Sequence, residues 1–79
     1  MYIVYVLKSG VDNRLYQGIT SNLERRLKEH NNGKHKSTKA YVPWSLAYYE
    51  IVNNRGEARR REIYLKSGAG REFLKKMIF

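Results

Sequence analysis

Residues 2–18 read YIVYVLKSGVDNRLYQG, and this segment predicts the β-hairpin around which the chain folds. Tyr2 to Lys8 is rich in β-branched and aromatic residues, so it predicts a strand with two apolar faces that are both covered. Ser9 to Asn13 contains the glycine, aspartate and asparagine that are typical of a turn. Arg14 to Gly18 then predicts a short second strand that pairs with the first.

The rest of the chain predicts three helices and one further strand. Ser21-Asn22-Leu23-Glu24 has the spacing of a capping box, which predicts a helix from there to Asn31 or Asn32. Gly33 is expected to be the left-handed residue that ends it. The later elements are expected at Leu46 to Val52 (strand), Glu57 to Lys66 (helix) and Arg71 to Phe79 (short helix), with a break at Ser67 to Gly70. The order β-β-α-β-α-α predicts a small sheet covered by helices, an α+β arrangement.

Composition narrows the class of protein. The chain has 79 residues, which is enough for one domain, and its net charge of +9 indicates a polyanionic partner, either nucleic acid or an anionic membrane. Solubility charge is the alternative explanation. The chain has no cysteine, which excludes disulfides and thiolate metal sites and fits a cytoplasmic location. We expect no membrane span and no signal peptide.

Two polar side chains interrupt the apolar stripe of the first helix. Leu23, Arg26, Leu27 and His30 share one face at the spacing i, i+3, i+4, i+7. Arg26 and His30 lie four residues apart, so both can point towards one site. Alternatively, they lie at the edge of the stripe and extend into solvent.

The second helix has a similar anomaly. Glu62 shares a face with Ala58 and Leu65, and a carboxylate on an inward face is costly unless it is paired. It either forms an ion pair with Arg26 or another arginine, or serves as a metal ligand, an acid or a base. The chain also has seven tyrosines, which either pack the sheet or form a cluster of phenols near these groups.

These residues, in this order and spacing, resemble the GIY-YIG nuclease family. Ile3-Val4-Tyr5 corresponds to the first triplet and Tyr16-Gln17-Gly18 to the second. Residues 19–30 resemble the family's arginine helix, and residues 57–66 its glutamate helix. The chain departs from the pattern at Ile3 and Gln17, whose side chains have no chemical role in the family's mechanism. The resemblance implies one nuclease domain over residues 1–79, of the short stand-alone type that is similar to the nuclease domain at the N-terminus of an excinuclease.

The resemblance also implies a fold and a chemistry. The fold is a three-stranded antiparallel sheet flanked by helices, and the activity is metal-dependent hydrolysis of DNA. Glu62 would bind Mg²⁺ or Mn²⁺, and Arg26 would hold the scissile phosphate. Tyr5, Tyr16 and His30 would bind and deprotonate the attacking water, and their order as bases is left open. Tyr5 would need a lowered pKa, which the metal and Arg26 could supply. Gly18 would permit a close approach of backbone or substrate.

The remaining basic residues suggest contacts with the DNA backbone. The predicted phosphate-binding side chains are Lys34, Lys36, Lys39, Arg59, Arg60 and Arg61. Such contacts position DNA without reading its sequence, so we expect low sequence specificity. The resemblance implies a role in DNA repair or recombination. One alternative is a basic nucleic-acid-binding module without cleavage. Another is a structural or partner-binding domain whose polar cluster is an ion-pair network. A monomer or a weak homodimer is compatible with the sequence.

Overall fold

A computed structural model describes residues 1–79 and contains three strands and three helices in the predicted order. The elements are β1 (Tyr2–Ser9), β2 (Leu15–Thr20), α1 (Leu23–Asn31), β3 (Trp44–Val52), α2 (Arg55–Lys66) and α3 (Gly68–Ile78). A 3-10 turn at Lys39–Tyr41 lies in the loop between α1 and β3. The fold is α+β, with a three-stranded antiparallel sheet flanked by helices, which confirms the prediction.

β1 is the central strand of a sheet whose order is β2-β1-β3. Because side chains alternate along a strand, Val4 and Val6 point to one face and Tyr5 and Leu7 to the other. All four are buried. The valines pack against α2 and α3, whereas Tyr5 and Leu7 pack against α1 and Trp44. The prediction that both faces of β1 are covered is therefore confirmed, and β2 is left as an edge strand.

The N-terminus of α1 differs by one residue from the predicted capping box. Asn22, not Ser21, is the N-cap, and its side chain accepts a hydrogen bond from Arg25 N–H at 3.1 Å. The hydroxyl of Thr20 accepts a hydrogen bond from Asn22 N–H at 3.0 Å. This contact holds Asn22 in the position immediately before the first helical residue, Leu23. At the other end Gly33 has φ of 74°, the left-handed conformation predicted for it.

The predicted break between the last two helices is confirmed at Ser67, but Gly68 to Gly70 belong to α3. The side chain of Ser67 accepts a hydrogen bond from Gly70 N–H at 3.2 Å, so Ser67 is the N-cap and α3 starts at Gly68. Gly70 lies where α3 crosses the end of α2. A Cβ on Gly70 would lie 2.5 Å from Leu65 Cα, so only glycine allows the two helices to approach this closely.

The helices are short. The longest is α2, with 12 residues. None of them combines the length and the apolar character that crossing a membrane requires.

Candidate active site

A cleft of about 460 Å³ opens at the free edge of β2, with walls from β1, β2, α1 and α2. Its lining residues are Tyr5, Tyr16, Gly18, Ile19, Arg26, Arg55, Arg59 and Glu62. Four of the five residues predicted to be catalytic are therefore brought together here, although they come from four different elements. The fifth, His30, does not line the cleft.

Gly18 allows the side chain of Tyr5 to reach this cleft. The two residues lie opposite each other in β1 and β2. A Cβ on Gly18 would lie 2.5 Å from Tyr5 Cζ, which is closer than atoms in real structures approach. Any side chain at position 18 would therefore displace the phenol. The group that approaches Gly18 closely is thus the side chain of Tyr5.

His30 is fully buried behind the two tyrosines. Its Nε2 lies 3.1 Å from Tyr5 Oη, its Nδ1 lies 2.8 Å from Thr38 Oγ1, and its ring packs edge-on against Tyr16 at 5.0 Å between centroids. The hydroxyl of Thr38 donates to the carbonyl of His35, so its oxygen accepts from Nδ1–H of His30. This network leaves Nε2 to accept the hydroxyl proton of Tyr5.

Burial keeps both members of this pair uncharged at neutral pH. Burial and the neighbouring Tyr16 raise the pKa of Tyr5 to about 12. Burial lowers the pKa of His30 to about 4, with smaller electrostatic contributions from His35 and Arg26. Arg26 does lower the pKa of Tyr5, as expected, but the effect of desolvation is larger. In the protein alone, the lowered pKa suggested for Tyr5 is therefore not reached.

The low pKa of His30 predicts a loss of stability in mildly acidic solution. The unfolded chain protonates this histidine below about pH 6.5, whereas the folded protein does so only near pH 4. Because the unfolded state binds the proton first, the free energy of unfolding decreases as the pH falls from 6.5 towards 4. We expect a decrease of about 1 kcal/mol between roughly pH 7.5 and pH 5.5, measured by urea unfolding.

The control for this prediction is a pair of glutamine variants. His30→Gln retains an amide for Tyr5 and Thr38 but does not titrate, so it should lose most of the pH dependence. His35→Gln, which changes a partly exposed ring, should retain most of it. Equal pH dependence in His30→Gln and the wild type would contradict this assignment.

Arg26 presents an unused hydrogen-bond donor at the cleft. Its side chain is 31% exposed, but its Nε is buried and has no hydrogen-bond partner. Glu29 Oε1 lies 3.6 Å from this nitrogen, which is close enough for an ion pair but beyond hydrogen-bond distance. A buried donor without a partner is costly, so the position is well suited to an anionic oxygen. The burial of Nε disfavours the alternative that Arg26 simply extends into solvent.

Glu62 lies on the buried face of α2, as predicted. Its Oε1 accepts a hydrogen bond from Arg59 at 2.6 Å, and its Oε2 accepts one from Lys66 at 3.4 Å. Its arginine partner is therefore Arg59, on the same helix, and not Arg26. The side chains of Arg59 and Lys66 are 65% and 52% exposed, so both can turn into solvent and release the carboxylate.

The donor chemistry at Glu62 fits a hydrated divalent cation. Mg²⁺ commonly binds one or two carboxylates and keeps several of its waters. One carboxylate in the wall of an open, polar cleft matches that requirement. The chain has no group of three or more His, Asp and Glu that would surround a metal with protein ligands. Release of Arg59 would leave Glu62 free for such an ion.

Sequence patterns did not identify two residues of this site. Arg55 lines the cleft together with Arg59 and Glu62, and the three share one face of α2 at the spacing i, i+4, i+7. That spacing is the signal that could have identified Arg55. Thr38, which holds His30, has no such local signal, because its role depends on how the loop after α1 folds back.

Five of the six basic residues predicted to contact the DNA backbone do not line the cleft. Lys34, Lys36 and Lys39 belong to the loop between α1 and β3, outside the cleft. Arg60 is exposed on α2 and lines a separate depression next to Glu57.

Arg61 does not line the cleft either. Its guanidinium donates to both carboxylate oxygens of Glu50 on β3, each at 2.7 Å. Of the six residues predicted to contact the DNA backbone, only Arg59 is therefore a cleft residue.

Comparison with known proteins identifies several similar chains. A family model described as the GIY-YIG catalytic domain matches residues 1–75. A UPF0213 protein of Clostridium perfringens is 48% identical over 67 residues, covering 84% of this chain and 71% of that protein. A UPF0213 protein of Staphylococcus haemolyticus is 41% identical over 75 residues, covering 94% of this chain and 90% of that protein. The solution NMR structure of a UPF0213 protein from Bacillus halodurans matches with a TM-score of 0.58 and 32% identity, covering 96% of this chain and 84% of that chain.

Proposed function

Because this chain belongs to the GIY-YIG family, we propose that it is a metal-dependent endonuclease that hydrolyses DNA phosphodiester bonds, with residues 1–79 as one nuclease domain. The observation that carries the proposal is the composition of the cleft at the edge of β2. It combines a carboxylate, a phenol that is hydrogen-bonded to an imidazole, and an arginine with an unused buried donor. These are the groups that metal-assisted hydrolysis of a phosphodiester requires.

Arginines hold the substrate in this proposal. Arg26 binds the scissile phosphate, because its planar guanidinium can donate to two phosphate oxygens and its Nε makes no hydrogen bond within the protein. Arg55 and Arg59 line the same cleft and contact the DNA backbone. Phosphate contacts do not read bases, so the proposed intrinsic sequence specificity is low.

Tyr5 and His30 remove the proton from the attacking water. The water donates its proton to Tyr5 Oη, and Tyr5 transfers its own proton to Nε2 of His30. The 3.1 Å separation of Tyr5 Oη and His30 Nε2 supports this transfer, as does the hydrogen bond that fixes the His30 tautomer through Thr38. Tyr16, in the wall of the same cleft, orients the water.

Glu62 is the proposed ligand of Mg²⁺ or Mn²⁺. When bound, such an ion supplies a Lewis acid that stabilises negative charge on the phosphoryl and leaving oxygens. The negative charge of Glu62 is one of the causes that raise the pKa of Tyr5. A cation held by Glu62 would offset that charge, which would lower the pKa of Tyr5 and favour transfer of its proton to Nε2 of His30.

A nucleic-acid-binding module without cleavage is the second candidate. Both carboxylate oxygens of Glu62 are engaged by cationic side chains, which favours a purely structural role for this residue. The net charge of +9 accounts for DNA binding without any chemistry.

Nicking of supercoiled plasmid by the wild-type protein tests the proposal. We expect open-circular product with Mg²⁺ or Mn²⁺ and none with EDTA, at similar rates on plasmids of unrelated sequence. A branched DNA is assayed in parallel, to detect a preference for structured substrates. Salt-sensitive binding to both DNAs without any product would support the binding module instead. Cleavage that persists in EDTA would contradict the metal requirement.

A further inference from the structure

A second pocket, of about 340 Å³, lies between β2 and α3 and has no part in the mechanism above. Its volume is within the roughly 300–1,000 Å³ that is usual for small-ligand sites. Six residues line it: Leu15, Gln17, Arg71, Leu74, Lys75 and Phe79. We call it the β2–α3 pocket.

The lining of the β2–α3 pocket has the chemistry of a nucleotide site. Leu15, Leu74 and Phe79 supply apolar surface, and Phe79 is 65% exposed. Arg71 and Lys75 are exposed cations beside this surface. An exposed aromatic ring next to positive charges is the combination on which proteins stack the bases of single-stranded nucleic acids.

A cation already lies over the ring of Phe79. Lys8 Nζ is 4.6 Å from the centroid of that ring. The lysine adds a further positive charge to this side of the sheet. The charge of the surface around the pocket is therefore complementary to a phosphodiester backbone.

The position of the pocket connects it to the candidate active site. Gln17 and Ile19 are two residues apart on the same face of β2, opposite Val6 and Val4 in the register of the sheet. Ile19 lines the active-site cleft and Gln17 lines the β2–α3 pocket. Two residues of a strand span about 7 Å. The β2–α3 pocket is therefore close enough to the cleft for one DNA strand to reach both.

Gln17 also gives the pocket a group that could distinguish bases. It is the middle residue of the Tyr16-Gln17-Gly18 triplet, where the family pattern has an apolar side chain. In this chain a half-buried amide lies in the pocket instead. A side-chain amide can donate to and accept from the edge of adenine at the same time, which gives a preference for that base.

We propose that the β2–α3 pocket binds the base of a nucleotide that flanks the scissile phosphate, stacked on Phe79 and hydrogen-bonded to Gln17. Arg71 and Lys75 contact the adjoining phosphates. The inference rests on the proposed function, because it takes a DNA strand to lie in the active-site cleft. A base in this pocket has left the double helix, so the strand is unpaired there.

Binding of labelled 12-nucleotide oligo(dA) and oligo(dT), followed by fluorescence anisotropy, tests this proposal. The Glu62→Gln background without added metal prevents cleavage during the measurement. We expect Phe79→Ala to weaken binding of both oligonucleotides about tenfold, because it removes a stacking surface. Met77→Ala is the matched control, since it truncates an exposed apolar side chain of α3 outside the pocket and should leave binding unchanged.

Gln17→Leu tests base recognition separately. We expect the wild-type protein to bind oligo(dA) more tightly than oligo(dT). Gln17→Leu should reduce the ratio of these two affinities about fivefold or more. Circular dichroism checks that each variant is folded. Binding that is equal in Phe79→Ala and Met77→Ala would overturn the pocket as a base site, and an unchanged base preference in Gln17→Leu would overturn the role of Gln17.

Plasmid nicking by the same substitutions in the wild-type background separates this inference from the proposed function. If the protein nicks DNA in a metal-dependent way but Phe79→Ala does not change oligonucleotide binding, the nuclease proposal stands and the pocket proposal is overturned. Binding that depends on Phe79 in a protein that never nicks DNA would support the pocket and overturn the hydrolytic activity.

Discussion

Glu62→Gln is expected to lower the rate of metal-dependent plasmid nicking by at least about 1,000-fold, because a neutral amide is a poor ligand for Mg²⁺. Such a loss corresponds to about 4 kcal/mol in the activation barrier. Glutamine has nearly the same shape as glutamate and can still accept a hydrogen bond from Arg59, so the buried face of α2 should remain packed. The measurement is the initial rate of nicking at saturating Mg²⁺.

The stability of the same variant decides between a catalytic and a structural role for Glu62. Its partners Arg59 and Lys66 are more than half exposed and can be solvated when the carboxylate is lost. We therefore expect the free energy of unfolding to fall by less than about 1 kcal/mol. A loss of several kcal/mol would indicate the structural ion-pair network instead. Glu72→Gln, on an exposed part of α3, is the control and should change neither quantity.

Arg26→Ala is expected to reduce nicking by about 100- to 1,000-fold through loss of the scissile-phosphate contact. The free energy of unfolding should change little, because Nε of Arg26 makes no hydrogen bond that the substitution could remove. Arg26→Lys keeps the positive charge but lacks the planar guanidinium that can donate two parallel hydrogen bonds. We therefore expect it to be only slightly more active than Arg26→Ala.

The adjacent residue offers a close control. Arg25 also lies in α1, but its side chain is 61% exposed and does not line the cleft. Arg25→Ala removes the same charge from the same helix, so it should reduce nicking less than about threefold if non-specific attraction to DNA is the only loss. Similar losses in Arg25→Ala and Arg26→Ala would contradict a specific role for Arg26.

Local patterns were sufficient to predict the elements of the fold. The β-branched and aromatic run of β1 predicted a strand that is buried on both faces, and Val4 and Tyr5 are buried on opposite sides. The spacing in α2 predicted the buried face that contains Glu62. Gly33 was predicted as the left-handed end of α1 because glycine adopts positive φ without a Cβ clash. Each of these predictions depends on residues a few positions apart.

The exact ends of the strands and helices depend on tertiary contacts, which local sequence patterns do not reveal. β3 begins at Trp44, two residues before the predicted start, where the side chain of Asn31 bonds both to the N–H and to the carbonyl of Trp44. α3 begins at Gly68 because Ser67 caps it and Gly70 fits against α2. The glycine-rich composition predicted a break over Ser67 to Gly70 because glycine has low helix propensity. The break is limited to Ser67, because the packing of α3 on α2 keeps Gly68 to Gly70 helical.

For the candidate site, the sequence by itself determined which residue types were available, and the tertiary structure decided how they are connected. Arg26, His30 and Glu62 could be singled out because they interrupt apolar helix faces. That His30 lies behind Tyr5, and that Glu62 pairs with Arg59, followed only from the packing of α1 and α2 on the sheet. Periodicity places a side chain on a face of its own element. Partners 25 residues apart, such as Tyr5 and His30, are set by how the elements pack, and packing also sets the burial that shifts their pKa values.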